Sequence, residues 1–432
     1  MTPRVILASF VLATAMSGSQ AAGAETIIVS TTGPHRSIAG AVREAPAGSR
    51  IVIEAGTYRE APILIDRPLT VVGEGRPRIE AIQAATLVHV TANDVTIRGL
   101  SFANIAPSHV EDRAAIKLDG VRGCVVEDNQ IDAAPFGIVA SESSDCRISH
   151  NVVRGGIHRP LGNAIHLWSS HHMTVEDNVV SGHRDGLYFE FVQDTTIERN
   201  TSERNGRYGL HFMFSHRCAY RDNRFAWNGA GVAVMYTREV EMTANTFDDN
   251  RGPTAYGLLL KDISDSRLVG NEFARNTVGL HIEGGGRVVV SANRFAGNGW
   301  AIRLMANSPG NRFDANVFEG NSFDMSTNSR STAAAVAGNW WDRYRGYDLD
   351  RNGRGDVPFR PVRLFSLLVA NNPPSVVLMR SAFVDVLDAA ERALPVLTPQ
   401  TLVDASPLME RPSALKLDVA SAFRRKGQAA SK

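Results

Sequence analysis

Apolar residues recur along this chain in columns keyed to an asparagine. Asn129, Asn151, Asn178, Asn200, Asn223, Asn245, Asn271, Asn293, Asn316 and Asn339 follow one another at steps of 22, 27, 22, 23, 22, 26, 22, 23 and 23. Two residues after each stands Ile131, Val153, Val180, Ser202, Phe225, Phe247, Phe273, Phe295, Phe318 or Trp341, and Ser202 alone breaks the apolar column. Three residues before the first eight comes a second apolar column: Val126, Ile148, Val175, Ile197, Tyr220, Met242, Leu268 and Val290. A third short alternating segment follows a glycine, as in Gly186-Leu187-Tyr188-Phe189 and Gly209-Leu210-His211-Phe212. Segments of period two separated by turn residues are short strands, and none of these segments sustains a helical period.

Self-similarity at this interval indicates a solenoid. The pattern predicts an all-β chain: a right-handed parallel β-helix of ten or more coils, each of about 22 residues. Coils then stack at the inter-strand spacing of about 4.8 Å, and equivalent residues form ladders along the axis. Asparagine suits a turn, because it tolerates left-handed backbone and bonds locally. Leucine-rich repeats share the period but need a leucine consensus that is absent. The two long steps mark inserts at Gly155–Leu161 and Arg251–Tyr256. Ahead of the coils, Ser37–Tyr58 reads as an N-terminal cap: a short helix Ile38–Ala45, the turn Pro46-Ala47-Gly48 and a strand Arg50–Glu54.

The ends read differently. Arg4, the apolar run Val5–Met16 and Ala22-Gly23-Ala24 form a secretory signal, so 1–24 is set apart and the mature chain is expected in the periplasm. No later stretch is apolar for long enough to span a membrane. The expected organisation is a signal peptide at 1–24, cap and first coils at 25–90, β-helix at 91–360, and a C-terminal arm at 361–432. In that arm Val376–Leu394 has helical periodicity, Asn371–Pro374 is a break, Pro395 ends the helix, and Ala420–Lys432 is a disordered end. The arm is either a cap for the solenoid or a docking element.

Net charge changes the picture by exclusion. At +1 the chain has no electrostatic footprint for nucleic acid. Cys124, Cys146 and Cys218 are too few for a disulfide scaffold, and all lie five residues before a repeat Asn. Their parity points inward, as small buried residues, with a Cys124–Cys146 bridge open between adjacent coils.

Alternation on the glycine-led strands selects the outward residues. One outward column is His166, Tyr188, His211, Ala233, Leu259, His281, Arg303; the next is Trp168, Glu190, Met213, Met235, Lys261, Glu283, Met305. The turn beyond adds His171, His172 and His216. Thioethers and imidazoles on neighbouring rungs suit Cu(I), a soft ion. The candidate copper ligands are therefore His211, Met213, His216, Met235, His166, His171 and His172, and a protein-docking patch is the competing reading of the same face. Calcium is a second candidate ion: Asp348, Asp350, Asn352 and Asp356 fall at positions 1, 3, 5 and 9 of a calcium-loop pattern, although Phe359 stands where its bidentate Glu belongs. Glycoside chemistry needs convergent carboxylates on adjacent rungs. Glu190 and Glu283 are four coils apart, so no catalytic residue is assigned, and a carbohydrate-binding or uronate-modifying β-helix is the alternative function.

The chain resembles the NosD family, periplasmic maturation proteins of nitrous oxide reductase, over essentially its whole mature length. The resemblance rests on Ile53–Tyr58, the Asn-containing coils, Asn339-Trp340-Trp341-Asp342 with the loop after it, and the tail. The tail is the most specific part: Arg380-Ser381-Ala382-Phe383 to Glu391-Arg392-Ala393-Leu394-Pro395, then Asp404 and Pro407-Leu408-Met409. It implies a non-enzymatic parallel β-helix that works with an ABC-type ATPase and its membrane permease. It also implies copper, with sulfur as a further cargo, delivered to the reductase's copper cluster, with a copper chaperone and the apo-reductase as further partners. The resemblance gives the C-terminal helix a role in docking onto the permease.

Overall fold

The computed structural model describes residues 24–108, 110–156, 161–328, 333–394 and 401–412. The signal-peptide and disordered-end expectations, and most of the Gly155–Leu161 insert, lie outside the described residues. The chain winds into a parallel β-solenoid of about thirteen turns. Among the described residues its three sheets hold fourteen, twelve and thirteen strands, each inner strand hydrogen-bonded to its equivalents in the coils before and after. Glycine-led segments form the twelve-stranded sheet, with strands such as Asp185–Glu190 and Tyr208–Met213 in unbroken register.

The repeat asparagines occupy a different place from the turn positions expected of them. The left-handed conformation belongs to the residue just before each one, among them Asp128, His150, Asp177 and Arg199, with φ of 53–55°. The asparagines themselves are buried in a continuous ladder. The backbone N–H and Nδ2 of Asn151 both donate to Asn178 Oδ1 at 3.0 Å, and Nδ2 also donates to the Val126 carbonyl at 2.9 Å. The corner turns the chain away from the sheet, so its buried amides need partners that strand pairing no longer supplies. A side-chain amide, with both donors and an acceptor, provides them and repeats up the axis.

A second ladder runs five residues after the first, through Asn205, Asn228, Asn250, Asn276, Asn298 and Asn321, and it was not anticipated from the sequence. It explains Ser202, whose Oγ accepts from Asn205 Nδ2 at 3.0 Å and donates to the Gly209 carbonyl at 2.7 Å. The glycine column lies against this ladder: a Cβ on Gly231 would collide with the Gly257 carbonyl and the Asn250 amide. Between the ladders the core is a stack of rings, Phe225, Phe247, Phe273, Phe295, Phe318 and Trp341, with centroids 4.1–5.6 Å apart. Cys124, Cys146 and Cys218 point inward as free thiols, and the Cys124 N–H donates to Cys146 Sγ at 3.3 Å.

At the N-terminal end, helix α1 (Ile38–Glu44) buries Ile38, Ala41 and Val42. Glu60 holds its start, accepting from the Ile38 N–H at 2.6 Å and from Ser37 Oγ at 3.1 Å.

At the other end, helix α2 (Leu364–Asn371) packs Phe365 and Val369 against Phe323, joined by Val384 of helix α3 (Ala382–Ala393). The helical stretch expected over Val376–Leu394 is divided. Pro373–Arg380 is a 3₁₀ segment, and Ser381, in extended conformation, separates it from α3. The tail then returns to the solenoid. Asp404, fully buried, accepts from the N–H groups of Gly338 and Asn339 at 2.9 Å, Asn339 Nδ2 at 3.2 Å and Trp341 Nε1 at 3.0 Å. It thereby takes the place that the next asparagine of the ladder would hold.

Candidate metal-handling face

The register of the twelve-stranded sheet aligns the outward residues. His166, Tyr188, His211 and Ala233 form one column, and Trp168, Glu190, Met213, Met235 and Lys261 the next. The two columns have different surroundings.

The histidine column is largely covered. His211 is only 7% exposed, and His281 is buried as well. Outward direction did not make them accessible, because tyrosine rings lean over them: Tyr208 of the same strand lies 4.9 Å from His211, and Tyr256 of the preceding coil lies 5.1 Å from His281. His211 Nδ1 also meets Arg207 at 3.2 Å, and Arg207 forms a paired hydrogen bond to the buried Asp185 carboxylate. Burial holds the His211 imidazole down to about 4, against the pull of Asp185. His166 sits between Phe136 and Tyr188, with ring centroids at 5.9 and 4.8 Å, and neither of its nitrogens has a hydrogen-bond partner among the described residues. Burial likewise pushes it down to about 4, opposed by Asp112 and assisted by Arg184. Both imidazoles are neutral near pH 7, with lone pairs that can accept a hydrogen bond or a metal.

His166 lies in a groove of about 590 Å³. Asp112, Lys117, Arg184, Trp168 and Glu190 line it too, and Tyr188 donates its hydroxyl to Glu190 at 3.0 Å.

The methionine column is open. Met213 and Met235 are half-buried Cα partners on adjacent coils, which puts their stems about 5 Å apart. The next residue on each coil also projects outward, because the corner there is left-handed. Phe191, Phe214 and Tyr236 occupy this corner on three successive coils. They remain 46%, 37% and 41% exposed, and they stack at 5.4 and 5.0 Å with interplanar angles of 15° and 11°. Strand alternation offers no second consecutive outward place, so the sequence reading passed over these rings.

Beyond the rings runs a third column, His171, Gln193, His216 and Arg238, joined by single bridges. Burial, then Arg238 and Arg217, lowers the His216 imidazole. His171 and His172 touch through their Nδ1 atoms at 3.1 Å.

The structure therefore brings Met213 and Met235 together on adjacent rungs, each followed in the chain by a corner ring, Phe214 or Tyr236. It does not gather all seven candidate copper ligands at one point. His166 and His211 lie on one side of the methionines, and His171, His172 and His216 lie across the rings.

In the acidic loop, oxygens of Asp348, Asp350 and Asp356 come within 4.8 Å of one another. The loop uses them itself. Asp348 accepts from the Asn352 and Gly353 N–H groups, Asp356 accepts from the Leu349 N–H, and the Asn352 amide donates to Asp350. Phe359 pairs with Asp404 and packs its ring 5.0 Å from Trp341, as core.

Residues 90–207 and 161–346 match the family described as "Periplasmic copper-binding protein (NosD)". A probable ABC transporter binding protein NosD of Pseudomonas aeruginosa is 28% identical over 391 residues, covering 86% of this chain and 90% of that one. The protein of the same name from Stutzerimonas stutzeri is 25% identical over 383 residues, covering 84% and 87%. Among solved structures, a GH87 α-1,3-glucanase catalytic domain with tetrasaccharides superposes with a TM-score of 0.55 at 13% identity, over 73% of this chain and 69% of that one. The A-module of Azotobacter vinelandii mannuronan C-5 epimerase AlgE4 gives 0.45 at 15% identity, over 67% and 88%. The glucanase domain shares the fold.

Proposed function

The chain belongs to the NosD family of periplasmic copper-binding proteins, and from that premise we propose that it carries Cu(I) toward the copper cluster of nitrous oxide reductase. Both relatives are named as ABC transporter binding proteins, which supports an ATPase–permease partner and a binding rather than catalytic role. The observation that carries the copper reading is the in-register pair Met213 and Met235 at an open corner of the sheet. Thioethers bind Cu(I) in preference to harder divalent ions. Two such ligands on an open face hold the ion weakly enough to hand it on. A copper chaperone is the donor in this reading, and the apo-reductase is the acceptor. Anaerobic Cu(I) titration of the mature protein tests it. Binding should weaken on the order of 100-fold in Met213→Leu/Met235→Leu, and unchanged stoichiometry and affinity in that variant would remove the pair.

Docking onto the permease falls to the C-terminal arm, where Val377, Phe383, Val386 and Leu394 are exposed together. Deleting the whole arm is a poor test, because Asp404 would go with it. Phe383→Ser/Val386→Ser keeps that anchor and should release the protein from the membrane complex. Retention of the variant with the permease on co-purification would refute the assignment.

Calcium at Asp348, Asp350, Asn352 and Asp356 is a separate reading, supported by the clustered carboxylates alone. An unfolding temperature identical in EDTA and in calcium would dismiss it.

The groove at His166 favours one alternative, a uronate-oligosaccharide site with Trp168 as platform. Unsaturated product or new reducing ends after incubation with uronate polymers would establish that reading instead.

A further inference from the structure

The inward position five residues before the repeat asparagine has a recurrent duty. Thr195 Oγ1, Ser266 Oγ and Asn311 Oδ1 each accept the N–H of the equivalent residue in the coil before, Met173, Val240 or Val288, at 3.2, 3.1 and 2.8 Å. At Cys146 the acceptor is sulfur, which takes the Cys124 N–H at 3.3 Å. A thiol is a weak acceptor where a hydroxyl or an amide serves the neighbouring coils better. Hydrogen bonding therefore does not account for cysteine here, still less for cysteine on two successive coils.

The two cysteines are held opposite one another. Arg122 bridges Ser144 on one side of the pair, and Val125 pairs with Arg147 on the other. That register sets their Cα atoms about 4.8 Å apart, one inter-strand spacing, within the span that a disulfide bridges. Both residues are 1% exposed, and each thiol is the other's hydrogen-bond partner. That contact lowers the Cys124 thiol below its ordinary value. The thiolate is the attacking form, so Cys124 is the sulfur prepared to react. Cys218 is the internal contrast: its column neighbours are Thr195 and Val240, and burial pushes its thiol up to about 12.

We propose that Cys124 and Cys146 are a disulfide-forming pair, closed by exchange with a protein disulfide. The Cys124 thiolate attacks the donor disulfide, displaces one of its sulfurs as a thiolate and forms a mixed disulfide. The Cys146 thiolate then attacks Cys124 Sγ and expels the second donor sulfur. The two cysteines are oxidised, the donor is reduced to a dithiol, and it takes up the two protons that they lose. The family is periplasmic, and a periplasm supplies such donors. The pair is buried, so the exchange belongs to folding, before the coils close over it. The bond staples the two coils whose outward strands, Ala114–Asp119 and Phe136–Ser141, carry Lys117, Val139 and Ser141 into the groove at His166. Cys218 stays a free thiol.

The test uses the full exported chain and needs no variant. Cells are opened directly into guanidinium chloride with N-ethylmaleimide, which labels every free thiol before it can rearrange. Mass spectrometry should find a single label, on Cys218, and a peptide pair joined through Cys124 and Cys146. Reduction with dithiothreitol before labelling should bring the label to all three cysteines. In Cys218→Ser the unreduced chain should carry no label. Protein refolded under dithiothreitol should unfold about 5 °C below the oxidised protein. Labels on Cys124 and Cys146 in the unreduced chain, or a bridge that includes Cys218, would overturn the pair.

Discussion

The groove at His166 and the ridge at Met213 lie two rungs apart on one sheet, about 10 Å along the axis. Their backbones are nearly interchangeable. Their chemistry is opposite. In and beside the groove, the imidazoles of His166 and His211 are walled by Phe136, Tyr188 and Tyr208 and kept neutral by burial. On the ridge, thioethers and rings meet solvent at a corner left open among the described residues. In a solenoid the ladder hydrogen bonds fix geometry without reference to outward side chains, so adjacent rungs can differ completely in what they bind.

The largest expected effect separates the two sites by cargo. Met213→Leu/Met235→Leu should weaken Cu(I) binding on the order of 100-fold, whereas His166→Gln should leave it unchanged. Parallel competition titrations would measure both. A strong loss in His166→Gln would move copper into the groove and reverse the assignment.

The next effect concerns pH. Folded His166 and His211 protonate near 4, below the ordinary 6.5, because burial disfavours the cation. Between those values the unfolded chain binds protons that the folded chain does not. Stability is therefore complete above about pH 6.5 and falls as pH drops toward 4. His166→Gln/His211→Gln should make the unfolding-temperature curve less steep in that window, with buried His183 and His281 supplying the slope that remains, and ridge substitutions should not alter it. Identical slopes in wild type and the glutamine variant would show that these two histidines are not among the groups responsible.

The smallest effect is on the ridge itself. Phe191→Asn relieves a left-handed aromatic and loses one exposed stack, opposing contributions of about 1 kcal/mol each. Its unfolding free energy should change by less than about 1 kcal/mol. Destabilisation well beyond that in denaturant melts would make the ring ladder a structural prop.

Much of this was legible from spacing. The Asn interval gave the solenoid, and parity counted from it placed Cys124, Cys146 and Cys218 inside and Met213 and Met235 outside. Three things were not legible, each for a physical reason. Direction is not exposure: His211 points outward yet is covered by Tyr208, and which ring leans which way is a matter of packing. Alternation fails at a left-handed corner, which hid Phe191, Phe214 and Tyr236. The asparagines read as turn formers because their local preference is visible in sequence, whereas their axial hydrogen bonds join residues 22 or more positions apart. The same blindness to distant pairing concealed Asp404, which the tail motif contains but which takes its meaning from Asn339 and Trp341.

Asp404 has a mechanical consequence. The helical arm leaves the solenoid near Leu364 and the chain is fastened again at Asp404, so the arm is a handle attached at both ends. A pull on α3 by a moving membrane partner would not simply straighten a tail. It would load the hydrogen bonds at Asp404, and through Asn339 the tension would pass into the asparagine ladder, which runs unbroken to the coils bearing Met213 and Met235. The ladder that sets the spacing of the rungs is thus also a continuous hydrogen-bonded line between the arm and the ridge.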